Sequence, residues 1–117
     1  MNDEQRHLAR LVVALPWWEW HDGMLHGEVD PADNEFAYLV RSLTSERPRS
    51  HLGGARLPVL TDDATGGAMV TVFANHLRAT PVMTLGLILD RMTSRNIDLS
   101  AITLGEACAR AMTGARP

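Results

Sequence analysis

All three tryptophans of the chain lie within residues 17–29, around one tight-turn signal. That signal is Asp22-Gly23, because both central residues of a type I′ hairpin turn need positive φ, which this pair adopts readily. The runs on either side of it predict two paired strands, at about residues 17–21 and 24–29. A hairpin alone is marginally stable in water, so we expect this one to pack on other elements of the chain.

Alternation of side chains along the two strands divides the predicted hairpin into two faces. Trp18 and Trp20 fall on one face, which we expect to be buried against Leu11, Leu15 or the later helices. Trp17 falls on the opposite, exposed face, where its ring can stack on a base or anchor a protein interface. The full set expected on the exposed face is Trp17, Glu19, His21, Met24, His26 and Glu28.

The spacing of apolar residues predicts helices on both sides of the hairpin. The first begins with a capping-box pattern, in which Asn2 and Gln5 satisfy each other's backbone N–H groups. For one segment, residues 82–92, a buried strand is the alternative to a helix. The expected helices are at about 3–15, 31–44, 62–78 and 82–92, followed by a last one that starts after Thr103.

The composition fits one globular domain over residues 1–117, with 45% hydrophobic and 21% charged residues. We predict an α+β fold: a small, mostly helical single domain in which an N-terminal helix and a two-stranded, tryptophan-rich β-hairpin pack with the other helices. The apolar runs are too short to span a bilayer, and the charged N-terminus is not a signal peptide. A cytoplasmic location without a membrane partner is therefore expected.

Positive charge is concentrated in one segment of the chain. The net charge is −3, which argues against an extended nucleic-acid surface, since such surfaces must neutralise phosphates. Residues 45–56, however, combine three arginines with two adjacent glycines. Guanidinium forks and closely approaching backbone N–H groups can bind a phosphate or carboxylate, so this loop predicts a binding site together with Trp17. The candidate site residues are Trp17, Arg47, Arg49, Gly53, Gly54 and Arg56.

Two phrases of the sequence stand out for their order and spacing. One is Leu15-Pro16-Trp17-Trp18-Glu19-Trp20 followed by Gly23-Met24, and the other is Leu60-Thr61-Asp62-Asp63-Ala64-Thr65. Together they resemble small uncharacterised proteins encoded by phages and prophages of GC-rich bacteria, which carry an LPxWxW..GM hairpin and an LTDxAT helix start. The resemblance implies a phage or prophage context for this chain. It implies no activity and no catalytic residue.

Catalysis is a further alternative, with His21 and His26 as ligands of a metal-dependent enzyme. The predicted register does not place the two rings opposite each other, and it uses Asp22 in the turn. Cys108 falls on the apolar stripe of the last helix, where a free cysteine usually acts as a small buried hydrophobe. We therefore expect no metal, no cofactor and no enzymatic activity.

The leading hypothesis from the sequence is a non-catalytic accessory protein of phage or prophage type that binds a host protein, with inhibition as one mode of action. The alternative is a small-molecule binder that sequesters an anionic nucleotide through the arginines and an aromatic stack. A homodimer is one possible assembly, in which the acidic stretch 19–35 of one copy meets the basic segment 41–56 of another. Pairing of the two segments within one chain is the other possibility.

Overall fold

A computed structural model describes residues 1–29, 36–41 and 56–114 of the chain. Within these residues there are four α-helices and a three-stranded antiparallel sheet of order β2-β1-β3, which confirms the predicted α+β fold with its N-terminal helix. In chain order the elements are α1 (Asp3–Val13), β1 (Leu25–Val29), β2 (Phe36–Arg41), β3 (Arg56–Pro58), α2 (Asp63–Leu77), α3 (Pro81–Ser94) and α4 (Leu104–Thr113).

The helices begin where the sequence supplies a capping side chain. Asn2 accepts the backbone N–H of Gln5, and the Gln5 side chain accepts the backbone N–H of Asn2, so the predicted capping box is confirmed. Residues 82–92 lie within α3 and are therefore helical and not a strand. Thr80 caps this helix immediately before Pro81. The helices predicted at 3–15, at 62–78 and after Thr103 are likewise confirmed as α1, α2 and α4.

The structure corrects the helix predicted at residues 31–44. Residues 36–41 form strand β2, which runs antiparallel to β1 and places Val40 opposite His26. The other residues of the predicted range lie outside the described part of the chain. The sequence Phe-Ala-Tyr-Leu-Val is rich in aromatic and β-branched side chains, and a short helix has little stability of its own. Pairing with β1 therefore overrides the helical spacing of these residues.

The predicted hairpin is right in the position of its turn and wrong in the turn type and in the pairing. Met24 donates its backbone N–H to the carbonyl of His21 at 3.2 Å, and Gly23 has a φ of +87°, so a turn does lie at Asp22-Gly23. Asp22 does not have the positive φ that the predicted type I′ turn requires, so the turn is of another type. Residues 17–21, however, form no strand, and β1 pairs with β2 and β3 instead. The turn thus directs the chain into the sheet without pairing its own two arms.

The side chains of this segment pack differently from the two predicted faces. Trp18 and Trp20 are partly buried against the core, as expected, and they meet edge to face with centroids 5.4 Å apart. Met24 and His26, expected on the exposed face, are only 0% and 4% exposed. The reason is that β1 is the central strand of the sheet, so the residues that enter it lie inside the fold.

The core lies between the helices and the sheet, and Thr65 in the first turn of α2 joins the two layers. Leu25, the first residue of β1, donates its N–H to the Thr65 hydroxyl at 2.7 Å. The same hydroxyl donates to the Asp62 carboxylate at 2.7 Å. The largest fully buried side chains include Met24, Leu57, Leu60, Met69, Ile88 and Met92.

Candidate protein-binding surface

Helix α3 carries apolar side chains on the face that points away from the core. Val82 is 80% exposed and Met83 is 67% exposed. Leu89, two turns further along, is exposed as well. An ordinary surface helix places charged or polar residues there, yet the run 81–89 contains no charged residue. The buried residues of the opposite face are Thr84, Ile88 and Met92.

An apolar groove lies beside this exposed face, between α2 and the first half of α3. Its volume of about 230 Å³ is below the roughly 300–1,000 Å³ that is typical of small-molecule pockets. A groove of this size and chemistry suits the apolar side chains of a protein segment. We call it the α2–α3 groove. It is lined by Gly67, Val70, Pro81, Val82, Leu85 and Leu104.

The junction between the two helices creates the groove. Helix α2 ends at Leu77, because the next residue, Arg78, adopts a left-handed conformation with a φ of 55°. Thr80 and Pro81 then start α3 at an angle of about 100° to α2. In the described part of the chain no single helix is long and apolar enough to cross a membrane. Taken together, α2 and α3 have the required length and apolar composition, but only as this bent pair.

Trp17 does not stand free on an outer face, and this expectation is corrected. Its ring lies parallel to that of His76 on α2, with centroids 3.9 Å apart, and nearly parallel to that of Phe73 at 5.9 Å. A cleft of about 170 Å³ beside the stack is lined in part by Glu19 and Asn75. Because stacking on α2 already occupies a face of the ring, Trp17 is a packing residue as well as a surface residue.

Arg56 contacts a buried histidine. It lies at the start of β3 and donates an Nη1–H to Nδ1 of His26 at 2.7 Å. Burial lowers the pKa of His26, and the nearby charge of Arg56 lowers it further. The ring is therefore neutral at physiological pH, with Nδ1 as the acceptor and the proton on Nε2.

The predicted anion site is not assembled by the residues that the structure describes. Trp17 packs on α2, whereas Arg56 bonds to His26 on β1. The other candidates, Arg47, Arg49, Gly53 and Gly54, lie outside the described residues.

The described residues also offer little to a metal ion or to thiol chemistry. In residues 1–29, 36–41 and 56–114 no group of three His, Cys, Asp or Glu side chains is arranged to hold a metal. Cys108 is fully buried, as predicted, and burial raises the pKa of its thiol to about 12. The thiol is therefore protonated at neutral pH, whereas the nucleophilic form of cysteine is the thiolate.

Charged side chains elsewhere join α1 to α4. Arg110 on α4 forms an ion pair with Glu4 on α1. Burial raises the pKa of Glu106, one turn before Arg110, and the arginine charge partly offsets that rise. The ion pair links two helices that are far apart in sequence, so we assign this cluster to the packing of α1 on α4.

In comparisons with known proteins, no family model, no curated protein and no solved structure matches the chain. Function is therefore inferred from the chain's own residues. Sequence reasoning missed the α3 surface, although a signal was present. The uncharged run 81–89 is too apolar for a helix that exposes one side to water.

Proposed function

We propose that this chain is a non-catalytic accessory protein that acts by binding another protein through the α2–α3 groove. The observation that supports this proposal is the uncharged first half of α3, where Val82 is 80% exposed beside an apolar groove. Contiguous exposed apolar surface is a mark of protein interfaces, because its removal from water stabilises the complex.

The partner that fits is a protein segment with apolar side chains along one side of a helix. None of the described residues that line the groove is charged, so a helix that lays its apolar face against them leaves no charge unpaired. The volume of about 230 Å³ holds a few side chains and is small for a nucleotide. The resemblance to phage and prophage proteins makes a cytoplasmic host protein the expected partner, and covering its helix is a route to inhibition.

A matched pair of leucine variants tests the proposal. Leu85 lines the groove and is 36% exposed, whereas Leu99 is 41% exposed and lies outside it. Leu85→Glu places a carboxylate in the groove, and Leu99→Glu makes the same change elsewhere. Tagged wild-type and variant proteins are used to capture partners from a lysate of the host bacterium, and each captured protein is then purified for calorimetry.

The proposal requires a partner that binds wild type and Leu99→Glu equally and binds Leu85→Glu about tenfold or more weakly. A photoreactive amino acid in place of Gly67, which lines the groove on its α2 side, should crosslink to an apolar helix of that partner. If no captured protein depends on Leu85, the groove is not the binding surface and the proposal is wrong.

A further inference from the structure

The outer face of α3 is separate from the groove over most of its length. Residues spaced by three or four positions lie on one side of a helix, so Val82, Gly86 and Leu89 form one line along α3. This line is opposite to the buried side that contains Thr84 and Ile88. We call Val82, Met83, Gly86, Leu89 and Asp90 the outer face of α3.

Gly86 lies at the centre of the outer face, and no contact within residues 1–29, 36–41 and 56–114 explains it. A Cβ atom added there would meet no atom within 4 Å. Glycine inside a helix is less favourable than alanine, because it loses more backbone freedom on folding. One use of such a glycine is to let another backbone approach closely.

The charges at the two ends of the outer face are opposite. Arg78 is exposed just before α3, and Asp90 is exposed after the uncharged run 81–89. Arg91 does not add a positive charge to the outer face, because it is directed toward α4 and donates to the carbonyl of Ala111 at 2.8 Å. The first turn of α3 contains no acidic residue, so its positive helix end is open to a carboxylate from outside.

We infer that the outer face of α3 joins two copies of this chain as an antiparallel helix pair, with Gly86 facing Gly86 of the second copy. A two-fold axis at this glycine brings Leu89 against Met83 of the other copy. It also brings Asp90 toward the positive end of the other α3 and toward Arg78 before it. Each contact away from the axis then occurs twice, as a symmetric interface requires.

Charge complementarity selects a second copy over other occupants. A parallel arrangement would place like charges together, whereas the antiparallel one pairs Asp90 with Arg78 at both ends. A membrane surface attracts helices whose polar residues are lysine or arginine, and the charged residue on this outer face is Asp90. The side chains at the centre of the interface are apolar or absent, so close approach leaves no buried polar group without a partner.

Sedimentation equilibrium over micromolar to millimolar protein concentrations tests the inference. Wild type is expected to be a dimer that dissociates on dilution. Leu89→Glu, at a position that is 42% exposed, should be monomeric, and Leu99→Glu, at a position that is 41% exposed outside the outer face, should remain dimeric. Gly86→Gln should prevent dimerisation without loss of helical content by circular dichroism, because its side chain has open space in the single chain.

A charge exchange identifies the orientation. Asp90→Arg or Arg78→Asp alone should weaken the dimer about tenfold or more, because each places like charges together. The double variant Asp90→Arg/Arg78→Asp should recover most of that loss. A monomeric wild type, a dimer indifferent to Leu89→Glu, or single charge variants without rescue would overturn the inference. Leu85→Glu separates the two proposals, since it should abolish partner capture and leave the dimer intact.

Discussion

Gly66 on α2 and Gly105 on α4 lie in backbone contact, so that a Cβ atom on Gly66 would be 2.8 Å from the amide nitrogen of Gly105. On its other side, a Cβ atom on Gly105 would be 2.9 Å from the carbonyl carbon of Leu60. Real Cβ atoms do not approach backbone this closely, so a side chain at Gly66 would push α2 from α4, and one at Gly105 would push α4 from Leu60. The absence of a side chain at Gly66 therefore lets α2 pack closely on α4, and its absence at Gly105 lets α4 pack closely on Leu60 before α2.

Gly66→Ala should lower the free energy of unfolding by about 1–3 kcal/mol, the usual cost of overpacking a close contact. The neighbouring Gly67 is the matched control, because a Cβ atom there would meet nothing within 4 Å. Gly67→Ala should raise the free energy of unfolding by up to about 1 kcal/mol through helix propensity. Urea unfolding measures both changes, and equal effects of the two substitutions would contradict the packing account.

Thr65→Val should destabilise the fold by about 1–3 kcal/mol, because the Leu25 N–H and the Asp62 carboxylate both lose their hydroxyl partner. Valine has nearly the shape of threonine, so the loss reports on the hydroxyl and not on a cavity. Thr65→Ser keeps the hydroxyl and should cost less. Urea unfolding at neutral pH distinguishes the two, and a serine variant less stable than the valine variant would refute the role assigned to the hydroxyl.

Acid should destabilise the protein in part through His26, whose pKa in the folded state lies below its usual value of 6.5. As pH falls below 6.5, His26 binds a proton in the unfolded chain, whereas in the folded chain it does so only at lower pH. The free energy of unfolding therefore decreases as pH falls between these two pKa values, and the full contribution is present above 6.5. Unfolding measured across this range is expected to show the decrease.

His26→Asn should remove this part of the pH dependence, since an amide oxygen can accept the hydrogen bond from Arg56 and does not titrate. His7 is exposed and provides the control. His7→Asn should leave the pH profile as in wild type. A profile that His26→Asn does not change would assign the acid sensitivity to other groups.

Trp17→Ala should destabilise the protein by a substantial amount, although by less than the roughly 3–5 kcal/mol typical of a fully buried aromatic residue. The physical reason is the loss of the stack on His76 and Phe73. Trp17→Phe retains an aromatic ring and should recover part of the loss, which thermal unfolding followed by circular dichroism can measure. If Trp17→Ala leaves the midpoint unchanged, the stack does not contribute to stability.

Local chemistry made four helices predictable from the sequence. Asn2, Thr80 and Thr103 each accept a backbone N–H three residues further on, as their sequence positions indicate. The position of the turn at Asp22-Gly23 was predictable for the same reason, because glycine adopts positive φ at little steric cost. Caps and turns need only their neighbours in sequence, so short-range rules reach them.

The candidate surface depends on packing and was not predictable in the same way. The groove exists because the αL residue Arg78 turns the chain between α2 and α3. The exposure of Val82 depends on which side of α3 the core covers, and the sequence does not state that directly. The arginine loop, which the sequence predicted as the binding site, lies mostly outside the described residues. Of its arginines, Arg56 is described, and it donates a hydrogen bond to His26.

By itself, the sequence determined the α+β class, the N-terminal helix, the capping residues and the Asp22-Gly23 turn, because each follows from backbone preferences over a few residues. Only the tertiary structure decided the partner of β1 and the orientation of Trp17. Residues 36–41 satisfy helical spacing and strand propensity alike, and pairing across the chain with β1 selects the strand. Trp17 stacks on His76 because α2 presents that ring, a contact between residues far apart in sequence.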